Sequence, residues 1–481
     1  MNKNIKKFVF AALLGTVAFT SCNKYLDVNE NPNNPEKVEP NLLLPTVEAG
    51  LSQIVGNQLQ VYGGLWAQYW TQSPSSSQYQ VIDQYNLKTT NTDRVWATIY
   101  RSTLNNAEII INSEKGVNNY TIGMAYLLKA YTLQVATDAF GDIPLNDALQ
   151  GASNLNPKYQ TQKEVYTAIF ENIDKGIELL KGSLGTSPGE QDMFFNGDND
   201  EWIKFANTLK LRGYLRISSV DAATAQAGIK ALYATNPTFV DGDVSIAFTT
   251  TGGNQNPFYT ETVGLDYVQN VVASGTSVQA MKGISDDRLF KLYDKLSGQD
   301  TIAYLLQGDF RGQNTKLVSP PSALTGANAR STISAVAPVK IFSKTESLFL
   351  QAEAVSKGWA AGDAKTLYED AIRASFSGLG LNASTYLANS SVTFPVGKSK
   401  EEQLKAIITQ KYFALNGFQN FEAWTEYRRT GYPDFLIQSK ASIIGAGQMP
   451  QRLLYPNSEL TSNSNYPGTK IITERVWWDV K

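Results

Sequence analysis

The chain has no histidine, which closes off imidazole bases, Ser–His–Asp triads and the common zinc ligand sets. Acid–base chemistry would have to come from carboxylates, and three groups are spaced for it. Asp138, Asp142 and Asp147 surround a Pro144 turn; Glu346 and Glu353 share a helix face, as do Glu422 and Glu426. Glycoside hydrolysis takes two carboxyl groups roughly 5–10 Å apart. Aspartates at helix ends, however, normally cap backbone N–H groups. Glutamates on amphipathic helices are most simply solvated. All three groups are therefore read as structural, and no catalytic residue is assigned. Asp198-Asn199-Asp200 and Asp241-Gly242-Asp243 lack the closing glutamate of a calcium loop and read as turns or caps. No metal or cofactor is expected.

The lone cysteine points to a different chemistry. Cys22 follows Lys3, Lys6 and Lys7, an apolar run from Phe8 to Phe19, and Thr20-Ser21. That order is a secretory signal whose apolar stretch is too short to span a bilayer. A cysteine just after the cut offers a thiol for a diacylglycerol thioether. Each buried methylene adds ~0.8 kcal/mol, so several acyl chains hold a protein on a membrane. Residues 1–21 are read as a lipoprotein signal peptide and 22–40, rich in Asn and Pro, as a tether. Residues 41–481 form a single domain. Once 1–21 are removed, 39 basic side chains face 44 acidic ones, which gives no electrostatic case for nucleic acid.

Binding chemistry is the third possibility. Tyr 24, Trp 8 and Phe 21 make the chain rich in aromatics, which with Asn and Gln suit neutral polar ligands. Trp66, Tyr69 and Trp70 share one helix face and read as core. Tyr79 and Tyr85 lie in a polar loop from Ser73 to Asn91, beside Gln80 and Asn86. Phe258, Tyr259 and Tyr267 lie in a second loop-rich stretch beside Asn256. Aromatics in polar loops have less core to enter, so these eight residues are the candidate ligand contacts.

The elements that would position them are mostly helices. Apolar residues recur at three- and four-residue steps from Asn41 onward. Further helices are expected at 94–113, 121–137, 163–181, 201–218, 222–233, 344–357, 364–377, 400–416 and 418–429. Between Pro237 and Pro338 turn signals crowd in, and only 278–296 reads as helix, so 237–338 is a loop-rich insertion and an expected binding face. Leu348, Ala352 and Val355, then Ala364, Tyr368 and Ala371, fit the two helices of a tetratricopeptide-like hairpin. Arg428-Arg429-Thr430-Gly431 before Pro433 is a helix stop, and Trp477-Trp478 should pin the tail onto the body.

In this order several segments resemble the SusD/RagB superfamily of Bacteroidetes surface lipoproteins, over essentially the whole mature chain. They are Cys22–Asp27, Ala125–Leu149 with its FGDIP turn, Phe195–Ser218, Ser285–Leu289 (SDDRL), Glu346–Trp359, Ile408–Asp434, Arg452–Glu459 and Thr473–Asp479. The resemblance implies a mainly α fold, a tetratricopeptide-like hairpin scaffold with a long loop-rich ligand face. It implies an outer-membrane, lipid-anchored protein facing the cell exterior, which captures oligosaccharide and delivers it to a SusC-like TonB-dependent transporter. Peptide binding by the same kind of lid, or a surface glycosidase acting through carboxylates, are the alternatives. Ligand residues in this superfamily come from variable loops, so only Cys22 carries over by position.

Overall fold

The computed structural model describes residues 42–113, 115–182 and 184–481; Cys22, the signal segment and the tether lie outside the described residues. Thirteen helices of eight or more residues are described. They are α1 (Leu44–Gly56), α2 (Gln58–Trp66), α3 (Asn105–Ser113), α4 (Asn119–Phe140), α5 (Gln162–Leu180), α6 (Asn199–Arg216), α7 (Ala222–Tyr233), α8 (Pro257–Gly264), α9 (Gly275–Gly283), α10 (Lys344–Ser356), α11 (Ala364–Gly378), α12 (Lys400–Leu415) and α13 (Asn420–Thr430). Two small antiparallel pairs complete it: β1 (Trp70–Gln72) with β4 (Val271–Ala273), and β2 (Ile143–Pro144) with β3 (Tyr159–Gln160). No helix among the described residues is long and apolar enough to cross a membrane.

The helices start and stop where the side chains allow. Asn118 accepts from the N–H groups of Tyr120 and Thr121 to open α4. Thr161 with Glu164, and Ser399 with Glu402, form capping boxes for α5 and α12. Asp198 caps α6, as its turn reading required. Gly431, at φ 75°, ends α13 in the left-handed conformation that suits glycine. Consecutive helices pack as hairpins, α4 on α5, α6 on α7 and α10 on α11. In the last, Ala352, Tyr368 and Ala371 are buried together, as the hairpin pattern demands. Two glycines lie in the α4–α5 contact with no room for a side chain: a Cβ on Gly123 would stand 2.8 Å from Leu180 Cγ and 3.0 Å from the Gly176 carbonyl oxygen.

Two expected helices differ. The 94–113 helix is interrupted by a π-helical turn over Thr98–Leu104, a widened register that apolar periodicity does not reveal. The 278–296 helix ends at Gly283; Ser285 takes φ 53°, and a short turn at Leu289–Leu292 follows. There Arg288, fully buried, pairs with Asp286 at 2.6 Å.

The carboxylates read as solvated are buried instead. Arg216, at the end of α6, reaches Glu422 and Glu426 on α13 at 2.6 Å each and Asp138 on α4 at 3.2 Å. Arg429 pairs with Glu353 at 2.7 Å and Glu426 at 2.6 Å, Arg212 with Glu346 at 3.4 Å, and Lys411 with Glu422 at 3.4 Å. Arg428 is held by the carbonyls of Asp138 (2.7 Å) and Gln451 (3.0 Å) and lies over the Trp424 ring at 3.6 Å. Five cations thus face five carboxylates among α4, α6, α10, α12 and α13. Asp138 is not a cap: it accepts from Tyr166 Oη at 2.6 Å and Trp478 Nε1 at 2.8 Å. That second bond pins the tail, as expected of Trp478. Burial would raise the Glu422 and Glu426 carboxyls, but the surrounding cations outweigh it and hold Glu426 well below the usual range. Burial raises Asp138 despite Arg216, and pushes Arg428 down to about 9.

Candidate functional site

The β1–β4 pair is what joins the two loop regions. Trp70 sits opposite Ala273 and Gln72 opposite Val271, so the chain leaving β1 into the Ser73–Asn91 loop starts beside the 237–338 insertion. Asp83 fixes the join. Fully buried, it accepts from Thr71 Oγ1 at 2.7 Å, the Gln72 N–H at 2.9 Å, Gln307 Nε2 at 2.8 Å and Ser439 Oγ at 3.1 Å. The two regions meet again where Tyr79 Oη donates to Glu261 Oε1 at 2.8 Å and the Tyr79 ring tilts against Phe258 at 6.5 Å.

Beside that contact lies a groove of about 260 Å³, lined by Gln58, Tyr62, Gln78, Tyr79, Arg94 and Glu261 among others. All but Gln78, which is exposed, are positioned by something rigid. Gln58 opens α2 at the kink after Asn57, whose amide donates to the Pro257 carbonyl at 2.7 Å and accepts from Arg94 Nη2 at 2.6 Å. Arg94 also pairs with Glu261 on α8. Tyr62 Oη donates to the Asn91 carbonyl at 2.9 Å. Burial, and then the Glu261 charge, hold the Tyr79 phenol well above its ordinary range, so it remains a donor. One atom is left over: Gln58 Oε1 is buried and meets no hydrogen-bond partner among the described residues. A buried acceptor without a donor costs about 1–3 kcal/mol, so this atom marks where a ligand donor would be stabilising.

The chemistry of this lining is recognition. It offers amide, guanidinium and phenol donors, amide and carboxylate acceptors, and aromatic faces. Its single carboxylate is engaged by Arg94 and Tyr79, whereas glycoside hydrolysis takes two. Among the described residues no cluster of three or more metal-ligating side chains occurs.

Of the eight sequence-selected residues, Tyr79 lines the groove. Gln80 and Asn86 are half-buried nearby in sequence. Tyr267 is 50% exposed just beyond α8, with its ring edge against Tyr259 at 6.4 Å. Four others are built into the scaffold. Tyr85 is buried, accepting from the Ser439 N–H at 3.0 Å. Asn256 caps α8 through the N–H groups of Phe258 and Tyr259 and donates to the Ala337 carbonyl at 2.9 Å. Phe258 stacks on Trp70 at 5.8 Å, and Tyr259 is buried with it. The loops fold back because short helices at Gln80–Asp83 and α8 give their aromatics a core to enter. Trp66, Tyr69 and Trp70 are fully buried, in keeping with their reading as core, but they do not share a helix face, because α2 ends at Trp66 and Trp70 begins β1. Nothing local in the sequence marks Gln58, Gln78, Arg94 or Glu261 as ligand contacts. Arg94 and Glu261 lie 167 residues apart, and nothing in their local patterns links them.

The solved structure of a chitin-binding protein matches with a TM-score of 0.78 at 24% identity, over 92% of this chain and 100% of that one. A chitin-binding SusD homolog from Flavobacterium johnsoniae gives 0.78 at 24% identity, over 92% of this chain and 98% of its own. A SusD homolog from Bacteroides uniformis gives 0.77 at 25%, over 91% and 99%. These likenesses bear out the mainly helical fold. No curated protein sequence matches the chain. The profile of a SusD-like family, described as starch-binding and associating with the outer membrane, matches residues 32–456. The chain belongs to that SusD-like family.

Proposed function

We propose that this protein is a cell-surface lipoprotein, held in the outer membrane by acyl chains on Cys22, that binds a neutral oligosaccharide without cleaving it. The groove beside Tyr79 grips the ligand, and closure against a SusC-like TonB-dependent transporter passes it inward. The observation that carries the reading is the buried, partnerless Gln58 Oε1, set in a lining that mixes donors and acceptors and holds one carboxylate. Sugar hydroxyls supply both a donor for that oxygen and acceptors for Gln78 and Arg94. The family's description as starch-binding, and the chitin-binding proteins of the same fold, support it.

Affinity gels containing soluble starch or glycol chitin test the binding. Retardation by at least one, with no new reducing ends released, is expected; retardation by neither, together with capture of peptides, would replace this reading with peptide binding. Gln58→Leu is expected to weaken the retained ligand about tenfold, since one hydrogen bond is worth about 1–1.5 kcal/mol. An unchanged affinity would show that the ligand sits elsewhere. For the anchor, radiolabelled palmitate is expected in the wild-type protein and absent from Cys22→Ala, which should leave the membrane fraction.

A further inference from the structure

We infer that a second saccharide site lies in a cavity of about 410 Å³ lined by the π turn of the Arg94–Asn105 stretch, the 144–157 segment and Glu459. The inference rests on reading the protein as saccharide-binding and adds a subsite to the one proposed at the first groove. Its size falls within the range of small-ligand pockets, roughly 300–1,000 Å³. Arg101 is exposed within the π turn and Asn105 follows directly after it. Among the described residues neither the Arg101 guanidinium nor the Asn105 amide meets an ion-pair or hydrogen-bond partner, although both line the cavity. They are four residues apart, and the widened turn presents both to one opening, where such turns often serve function.

The remaining walls define what fits. Tyr100 lines the cavity with its hydroxyl already donated to the Pro144 carbonyl at 2.8 Å, so what it adds to the lining is aromatic surface rather than a free polar atom. Pro144 and Leu149 extend that apolar wall. Glu459 is fixed by Trp96 Nε1 at 3.2 Å, Tyr159 Oη at 2.6 Å and Asn463 Nδ2 at 2.9 Å. A carboxylate has about four acceptor sites, so one remains. The Glu459 charge offsets that of Arg101, and an anionic ligand therefore gains little. A neutral ring that stacks on Tyr100 and bridges Arg101, Asn105 and Glu459 through its hydroxyls matches every group present. Arg94 serves the first groove and Arg101 this cavity, seven residues along the same stretch, or about 10 Å at an ordinary helical rise. Two sugar units of one chain would span that distance.

The test titrates the full chain with N-acetylglucosamine and with maltose while following the side-chain amide signals of Asn105 and Gln58. The Asn105 signal is expected to shift with at least one sugar, and Arg101→Met to weaken that event about tenfold or more while leaving the Gln58 response and the unfolding temperature unchanged. Movement of Gln58 alone overturns this site and leaves the first groove standing. Movement of Asn105 alone sustains this site and overturns the first. If neither signal responds to either sugar, both assignments fail.

Discussion

Replacing Arg216 with methionine should cost the protein about 3–5 kcal/mol of folding stability, read as a fall in the denaturant midpoint. The change removes the cation that touches Asp138, Glu422 and Glu426 at once, and leaves three buried carboxylates short of a partner. Lost packing is not the cause, because methionine keeps much of the volume. A second substitution separates the two explanations: adding Glu422→Leu to Arg216→Met should restore part of the loss, since an uncompensated charge then goes with its partner. If the double variant is weaker than the sum of the singles, the stranded-charge account is wrong. The gap between wild type and Arg216→Met should also close in acid. The Glu422 and Glu426 carboxyls are held below their unfolded value of about 4.3, so their stabilisation is complete above that pH and disappears as pH falls through the lowered folded values. A gap that widens below pH 4 would contradict the assignment.

Gly63→Ala is the second large effect, expected to destabilise by about 3 kcal/mol although alanine is the better helix former. Gly63 lies inside α2, where that helix meets the first turn of α13 backbone to backbone. A methyl group there would overlap the Asn420 carbonyl and the Phe421 nitrogen, and neither can rotate away. The neighbouring contacts leave no slack: Asn420 donates to the Gln60 carbonyl at 3.1 Å, and Gln60 Nε2 donates to the Gly417 carbonyl at 2.6 Å. By comparison, Gly283→Ala in α9 meets nothing within 4 Å and should be neutral or slightly stabilising. Equal midpoints for the two variants would mean that α2 and α13 can separate without loss.

Those two sites also show what the sequence makes legible. The helices of the scaffold could be read because apolar spacing and capping residues are local; the 222–233 helix falls where its pattern ends. The pairing of Glu422 with Arg216 could not. A glutamate on an amphipathic helix looks the same whether its face meets water or a buried arginine 206 residues away. The groove follows the same rule. Tyr79 was found because an aromatic in a polar loop is locally odd, while Gln58 at a helix start and Arg94 in a helical pattern are locally ordinary. Tyr85 and Phe258 misled for the converse reason, since a polar neighbourhood in sequence says little about the short helices that draw a ring inward.

The charged cluster has a consequence for how the chain reaches its shape. Hairpins built on one recurring pattern are interchangeable to the hydrophobic effect, which rewards any two apolar faces that meet. Seating α13 one residue out of register, or against the wrong hairpin, would leave Glu422, Glu426 and Arg429 in a dry interior without their counterparts. That misassembly would cost several kilocalories per stranded ion. The cluster thus acts as a lock-and-tumbler check on assembly, admitting the correct neighbour and rejecting its look-alikes.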